Sequence, residues 1–305
     1  MNIVVFGAEG QLGVTLKEAF SRHHHVTPLS RQNVDITNAA EVTAALQKLT
    51  PDVVLNAAAY TAVDKAEAES ANAAAVNAEG VANIANGCKT SGAFLVHYST
   101  DYVFDGEKNG AYLESDQTNP LSVYGKTKLE GEEAVSQSGA AHFTFRTSWV
   151  YSAHGSNFPK TILRLAQERE DLAIVADQFG APTSTALIAD VTLQTVEAYF
   201  KTPPAEKPGL IGLYHLTAGG ETSWYGFARF VLEQAQKEGL TLKCPPSRIA
   251  KTTTAEYKTA AQRPLNSRMD TQKIKAAFGI TLPDWQQSAG EFVKVYMKQN
   301  QQKVA

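Results

Sequence analysis

Short apolar runs alternate with helix-spaced segments through the first half of this chain, and that alternation restricts the fold more than any other feature. Runs of strand length stand at residues 3–6, 26–29, 53–56, 94–98 and 142–146. Between them, residues 11–22, 39–49, 62–68, 71–91 and 124–136 place apolar side chains at helical spacing. Strands joined through helices run parallel, and a parallel sheet has to be covered on both faces. The expected fold class is therefore α/β, a Rossmann-type doubly wound parallel sheet. The segments 62–68 and 71–91 are rich in alanine, which favours helix and allows close packing.

After Trp149 the rhythm breaks into helices, scattered short strands and proline-containing joints. This half reads as a smaller, mixed α/β C-terminal substrate domain. The expected division gives residues 1–151, with returning segments at about 188–202 and 211–217, to a dinucleotide-binding domain. Residues 152–187 and 218–305 form the substrate domain.

With 305 residues, 43% of them hydrophobic, the chain has ample material for a large core. Its 28 basic and 31 acidic residues give a net charge of -3 without a long block of one sign, so neither nucleic acid nor an anionic membrane is an expected partner. A small molecule is the better expectation. Cys88 and Cys244 lie far apart in no metal-ligand spacing, which argues against a disulfide framework or zinc site and fits a reducing, cytoplasmic setting. The N-terminus enters a strand pattern directly, without the basic start and long apolar stretch of a signal peptide, and no run reaches the roughly 20 apolar residues of a membrane span. His23, His24 and His25 read as a solvated turn with no functional role.

The first strand leads into Gly7-Ala8-Glu9-Gly10-Gln11-Leu12-Gly13 and then a helix. Gly7, Gly10 and Gly13 thus sit at a strand-to-helix turn, where a dinucleotide pyrophosphate can meet free backbone N–H groups without interference from Cβ atoms. The spacing is G-x-x-G-x-x-G, and the carboxylate of Glu9 has to point away from bound phosphate. The acidic residue expected at the end of the second strand is absent; Ser30 and Arg31 stand there. A guanidinium pairs with a ribose 2′-phosphate where a carboxylate would repel it, so NADPH is favoured over NADH; the other reading of Arg31 is a solvated loop charge. Asp35 and Ile36 suit an adenine-edge contact, and Asp35 equally suits the start of a helix.

The Y-x-x-x-K spacing of Tyr124 and Lys128 puts both on one helix face. A phenol normally titrates near pH 10, and an ammonium about one turn away is expected to favour the phenolate and lower that value. Upstream, the strand at 94–98 ends in Ser99-Thr100-Asp101, at the sheet edge where ligands of doubly wound folds gather. Thr100 can donate a hydrogen bond to a carbonyl oxygen as negative charge develops, and Asp101 can hold a sugar hydroxyl. The bland readings are a threonine closing a strand and an aspartate capping a turn.

In this order the motifs resemble the extended short-chain dehydrogenases, and within them the dTDP-4-dehydrorhamnose reductase family. The resemblance covers nearly the whole chain and rests most on His97-Tyr-Ser-Thr-Asp-Tyr-Val-Phe104, Arg146-Thr-Ser-Trp-Val-Tyr151 and Asp177-Gln-Phe-Gly-Ala-Pro-Thr183. It implies reduction of the 4-keto group of dTDP-4-dehydro-6-deoxy-L-mannose to dTDP-L-rhamnose. Thr100, Tyr124 and Lys128 are then the catalytic trio, with Lys128 also bonding the nicotinamide ribose. Gly10, Gln11, Leu12, Asp35, Ile36, Ala59, Tyr60, Thr61 and Tyr98 match cofactor-contact positions. Thr100, Asp101 and Trp149 match sugar contacts, and Arg263 of Arg263-Pro-Leu-Asn-Ser-Arg268 matches a late motif where a guanidinium can clamp the substrate pyrophosphate. No metal is needed for the reduction. Some members of the family form a homodimer bridged by a divalent cation; Thr15 stands where those members carry an acidic ligand, which weakens the expectation of Mg2+ but leaves a homodimer open. Two other readings compete: an epimerase or dehydratase of the same fold, and a non-catalytic regulatory subunit of methionine adenosyltransferase.

Overall fold

The structure is a computed structural model and describes residues 1–304. Its first half consists of Asn2–Phe6 (β1), Gln11–Phe20 (α1), His25–Leu29 (β2), Ala39–Leu49 (α2), Val53–Asn56 (β3), Val63–Ala66 (α3), Ser70–Ala74 (α4), Gly80–Ser91 (α5), Phe94–Thr100 (β4), Val123–Ser138 (α6) and His142–Thr147 (β5). The second half adds Val150–Tyr151 (β6), Phe158–Glu168 (α7), Leu172–Val175 (β7), Phe179–Gly180 (β8), Thr183–Ser184 (β9), Thr185–Lys201 (α8), Gly212–His215 (β10), Thr222–Ser223 (β11), Trp224–Lys237 (α9), Ile249–Thr252 (β12), Gln272–Phe278 (α10) and Trp285–Val304 (α11).

Six strands form one parallel sheet in the order β10-β5-β4-β3-β1-β2. Side chains of alternating strand residues enter opposite faces, as the two-residue period requires. Ile3, Val5, Val53, Leu55, Phe94, Val96, Phe143 and Phe145 pack on one side, where α1 and α8 lie. Val4, Phe6, Val54 and Leu95 face the other, against Val42 and Leu46 of α2 and Val81 and Ile84 of α5. The first of these cores runs on without a break into the second half, through Phe227, Val231, Trp285 and Phe292. Between β1 and β3 the order of winding reverses, which opens a crevice beyond the carboxyl ends of the strands.

Several boundaries differ from expectation. The helix α1 stops at Phe20 because the N–H groups of His23 and His24 turn back to its carbonyl. His24 is not solvated: its side chain is 11% exposed and its Nε2 lies 3.3 Å from Glu197 of α8. The strand β4 runs on to Thr100, and β10 stops at His215 while pairing with β5. The long helix expected over 71–91 contains a π-helical turn, Ala75–Glu79, between α4 and α5. Among the described residues, no helix is long and apolar enough to cross a membrane.

Candidate active site

The turn after β1 is built for close approach. Gly7 has φ 72°, and a Cβ there would lie 2.6 Å from the Ala58 nitrogen; one at Gly13 would lie 2.1 Å from the Gly7 carbonyl oxygen. A side chain at Gly7 would push this turn away from the residues after β3, and one at Gly13 would push α1 away from the turn. No side chain caps α1, so the N–H groups of Gln11, Leu12 and Gly13 leave its N-terminus without intrahelical acceptors. That donor set, with the positive end of the helix dipole behind it, fits a dinucleotide pyrophosphate. Glu9 is exposed, as the fit demands.

At the end of β2, Ser30 turns both its N–H and its hydroxyl onto Asn33 Oδ1, each at 2.9 Å. Arg31 is 82% exposed and stands 3.6 Å from the Asp35 carboxylate, a loose pair that leaves the guanidinium available to an incoming anion. Asp35 accepts hydrogen bonds from the Thr37 N–H and hydroxyl, which lower its pKa, in the turn ahead of α2; it does not start that helix, whose cap is Asn38. Ile36 is buried, and its carbonyl accepts a hydrogen bond from Asn83 at 2.9 Å.

Thr100 and Tyr124 come together at the carboxyl end of β4. Removal from water pushes the Tyr124 phenol up to about 12, with the neighbouring Thr100 hydroxyl pulling it down and Asp101 raising it further. The Tyr124 ring packs edge-on against Tyr102, centroids 5.4 Å apart. Lys128 is fully buried; burial brings its pKa down to about 8 against the opposing carboxylate of Glu132, and its Nζ donates to the Tyr98 carbonyl at 2.6 Å. The expected lowering of Tyr124 by the ammonium is therefore corrected: burial dominates, and the ammonium is committed to a carbonyl. Tyr98 offers the site its backbone only, because its hydroxyl is 3.0 Å from Thr192 and its ring lies in the core. Asp101 is buried and its pKa is raised to about 6, with hydrogen bonds from Ser267 and Thr100 opposing; its Oδ2 has no protein partner.

Two residues here escaped the sequence reading. Asn77, in the π turn, accepts from the Tyr60 N–H at 2.8 Å and donates to the Tyr60 carbonyl at 3.1 Å and to the Thr127 hydroxyl at 3.2 Å. It thereby fastens the Ala59-Tyr60-Thr61 loop to the helix carrying Tyr124 and Lys128. Asn77 is one of four asparagines in the alanine-rich run 71–91, so the sequence gives no signal that singles it out. The other is Ser267, in the same late motif as Arg263, which stands beside Asp101 and holds its pKa down.

Arg263 forms a two-pronged ion pair with Asp64, at 2.8 and 3.2 Å, and adjoins Tyr102. It is engaged across the chain, not standing free. Trp149 has a left-handed backbone, φ 49°, uncommon for a residue with a side chain. Thr15 Oγ1 lies 2.9 Å from Thr185 Oγ1, and among the described residues no group of three His, Cys, Asp or Glu stands ready to hold a metal ion.

Residues 1–298 match the model of the RmlD substrate binding domain family. The dTDP-4-dehydrorhamnose reductase of Shigella flexneri is 46% identical over 290 residues, 94% of this chain and 95% of that protein. The chain belongs to the dTDP-4-dehydrorhamnose reductase family. The Burkholderia thailandensis reductase is 43% identical over 98% of this chain and all of its own length. Among solved structures, the dTDP-4-dehydrorhamnose reductase of Clostridium acetobutylicum superposes with a TM-score of 0.88 at 36% identity, covering 97% of this chain and 99% of that one. The Bacillus anthracis reductase, solved with NADP, gives 0.87 at 33% identity, covering 95% and 98%. The family's parallel sheet and flanking helices are those described above.

Proposed function

We propose that this protein reduces the 4-keto group of dTDP-4-dehydro-6-deoxy-L-mannose to give dTDP-L-rhamnose. Near-full-length likeness to reductases of that name supports the reading. The observation that carries its chemistry is a half-buried phenol, protonated at neutral pH, beside the Thr100 hydroxyl at the carboxyl end of β4.

The glycine turn and the N–H groups of Gln11 and Leu12 would hold the pyrophosphate of NADPH, with Arg31 at the 2′-phosphate. The adenine end would lie against Asp35 and Ile36, and the rest against the Ala59-Tyr60-Thr61 loop and Lys128. When bound, the nicotinamide supplies the hydride that adds to the 4-keto carbon. Tyr124 gives its proton to the ketone oxygen, and Thr100 donates a hydrogen bond to that oxygen as charge develops. A phenol titrating near 12 is protonated at neutral pH, which suits a proton donor in the reductive direction. Lys128, its Nζ anchored on the Tyr98 carbonyl, would bond the nicotinamide ribose. Asp101 and Trp149 orient the sugar, and Arg263 exchanges Asp64 for the substrate pyrophosphate. In this reading residues 1–151, with 188–202 and 211–217, hold the dinucleotide, and the other C-terminal segments hold the sugar nucleotide.

Purified protein given the 4-keto sugar nucleotide should consume NADPH in a one-to-one ratio with product. Tightly retained NAD with no net NADPH consumption would instead mark an epimerase or dehydratase, and no turnover at all a binding subunit. Replacing Arg31 with aspartate should reverse cofactor preference toward NADH by roughly tenfold or more, since one charge-assisted contact is lost and a repulsion gained. An unchanged ratio of kcat/KM for the two cofactors would remove Arg31 from the 2′-phosphate site.

The rate should also depend on pH in a defined sense. Lys128, near 8, is charged below that pH and loses its proton above it, whereas Tyr124, near 12, stays protonated throughout. Asp101, near 6, bounds the acid side. Reduction should therefore plateau between about pH 6 and 8 and decline above, and a kcat profile flat to pH 9 would separate Lys128 ionisation from the reaction.

A further inference from the structure

The Asp177–Thr183 stretch carries none of the chemistry above, yet it builds one compact device around two indoles. Trp149 and Trp224 stack with centroids 3.7 Å apart and planes 13° from parallel. The indole N–H of Trp224 donates to Gln178 Oε1 at 3.1 Å, and Gln178 Nε2 donates to the Thr254 hydroxyl at 3.1 Å. Thr254 in turn bonds the Asp177 carboxylate through both its N–H and its hydroxyl, at 2.8–3.0 Å. Phe158 packs at a tilt of 54° against Trp224 with centroids 4.5 Å apart, so Trp224 is held by two rings and by a hydrogen bond at its edge. Gly180 leaves room for the other indole: a Cβ there would stand 2.9 Å from Trp149 Cε2. Thr183 donates its N–H to the Trp149 carbonyl at 3.2 Å, holding the left-handed backbone of that residue in place.

This device sits at the reaction end of the sheet. Thr147, two residues before Trp149, is the register partner of Thr100. Ser267, whose Cβ lies 3.2 Å from where a Cβ at Gly180 would stand, neighbours Asp101.

We infer that Trp224 is a positioning residue for the sugar, acting through Trp149, with Gln178 and Gly180 fixing the stacked pair. The inference rests on the reading that Trp149 lines the sugar pocket. Trp224 supplies the plate on which a strained residue's ring lies flat, and without it the Trp149 indole is free to rotate off the sugar.

The test compares Trp149→Ala, Trp224→Ala, Trp224→Phe and the double variant W149A/W224A in steady-state kinetics, with NADPH affinity measured alongside. Trp224→Ala should raise KM for the 4-keto sugar nucleotide about tenfold, with kcat within about threefold and NADPH affinity unchanged. Trp224→Phe, which keeps a stacking face, should recover most of that loss. The double variant should be no worse than Trp149→Ala, because a residue acting through Trp149 has nothing left to act on. Additive losses would overturn the inference, as would a normal KM in Trp224→Ala when Trp149→Ala is impaired. A normal KM in Trp149→Ala would instead sink the sugar-pocket reading, and the inference with it. Should Trp224→Ala fail to fold, Gln178→Leu cuts only the edge hydrogen bond and should still raise that KM by about threefold; an unchanged KM there counts against the inference.

Discussion

Tyr124→Phe should turn over the 4-keto sugar nucleotide roughly 10²–10⁴-fold more slowly than the natural enzyme, the range expected when a positioned proton donor is removed. The substitution deletes one hydroxyl and keeps the ring, so the edge-on packing against Tyr102 survives. The glycine turn and the α1 N-terminus are untouched, and NADPH should bind with nearly unchanged affinity. Single-turnover NADPH oxidation, set beside a fluorescence titration of cofactor binding, separates the two effects. Turnover close to that of the natural protein would mean that water or another group gives the proton.

The second large effect is on stability. Arg146 on β5 meets Glu132 on α6 through Nη2–Oε2 at 2.6 Å and Nε–Oε1 at 2.9 Å, with side chains only 4% and 8% exposed. The Arg146 guanidinium also lies over the Phe104 ring, 5.0 Å from its centroid. Glu132→Gln keeps the shape but leaves a buried guanidinium without its counter-charge, at a cost of about 3–5 kcal/mol in urea unfolding. Replacing both partners by apolar residues of similar volume should cost much less, because neither charge then has to be desolvated. Equal losses in the two variants would show that the pair is not what holds α6 to the sheet.

What was legible in the sequence was whatever is local. The strand and helix periods, the glycines between β1 and α1, and the Tyr124–Lys128 spacing are each written within a few residues, and each is present in the structure. What long-range packing decides was not legible. Arg263 reads as a free cation until Asp64, 199 residues away, is seen to hold it. The pair spacing suggested a lowered Tyr124 pKa, whereas the shift follows burial, which spacing does not report. His24 looked like part of a polar turn because its partner Glu197 lies on a distant helix. The alanine-rich pattern over 71–91 gave a helix correctly but no register, since alanine fits every face equally, and so the π turn was hidden.

That turn has a consequence for how the chain tolerates length changes. Each residue of an α-helix advances the rotation by about 100°, so deleting one residue from Ala75–Glu79 would restore an unbroken spiral while swinging everything before it through roughly a quarter of a revolution. Ala73 would leave its buried seat, and Asn77 would lose its grip on either Tyr60 or Thr127. The shortened helix would be the more regular one, and the loop beside the active site would come loose from it.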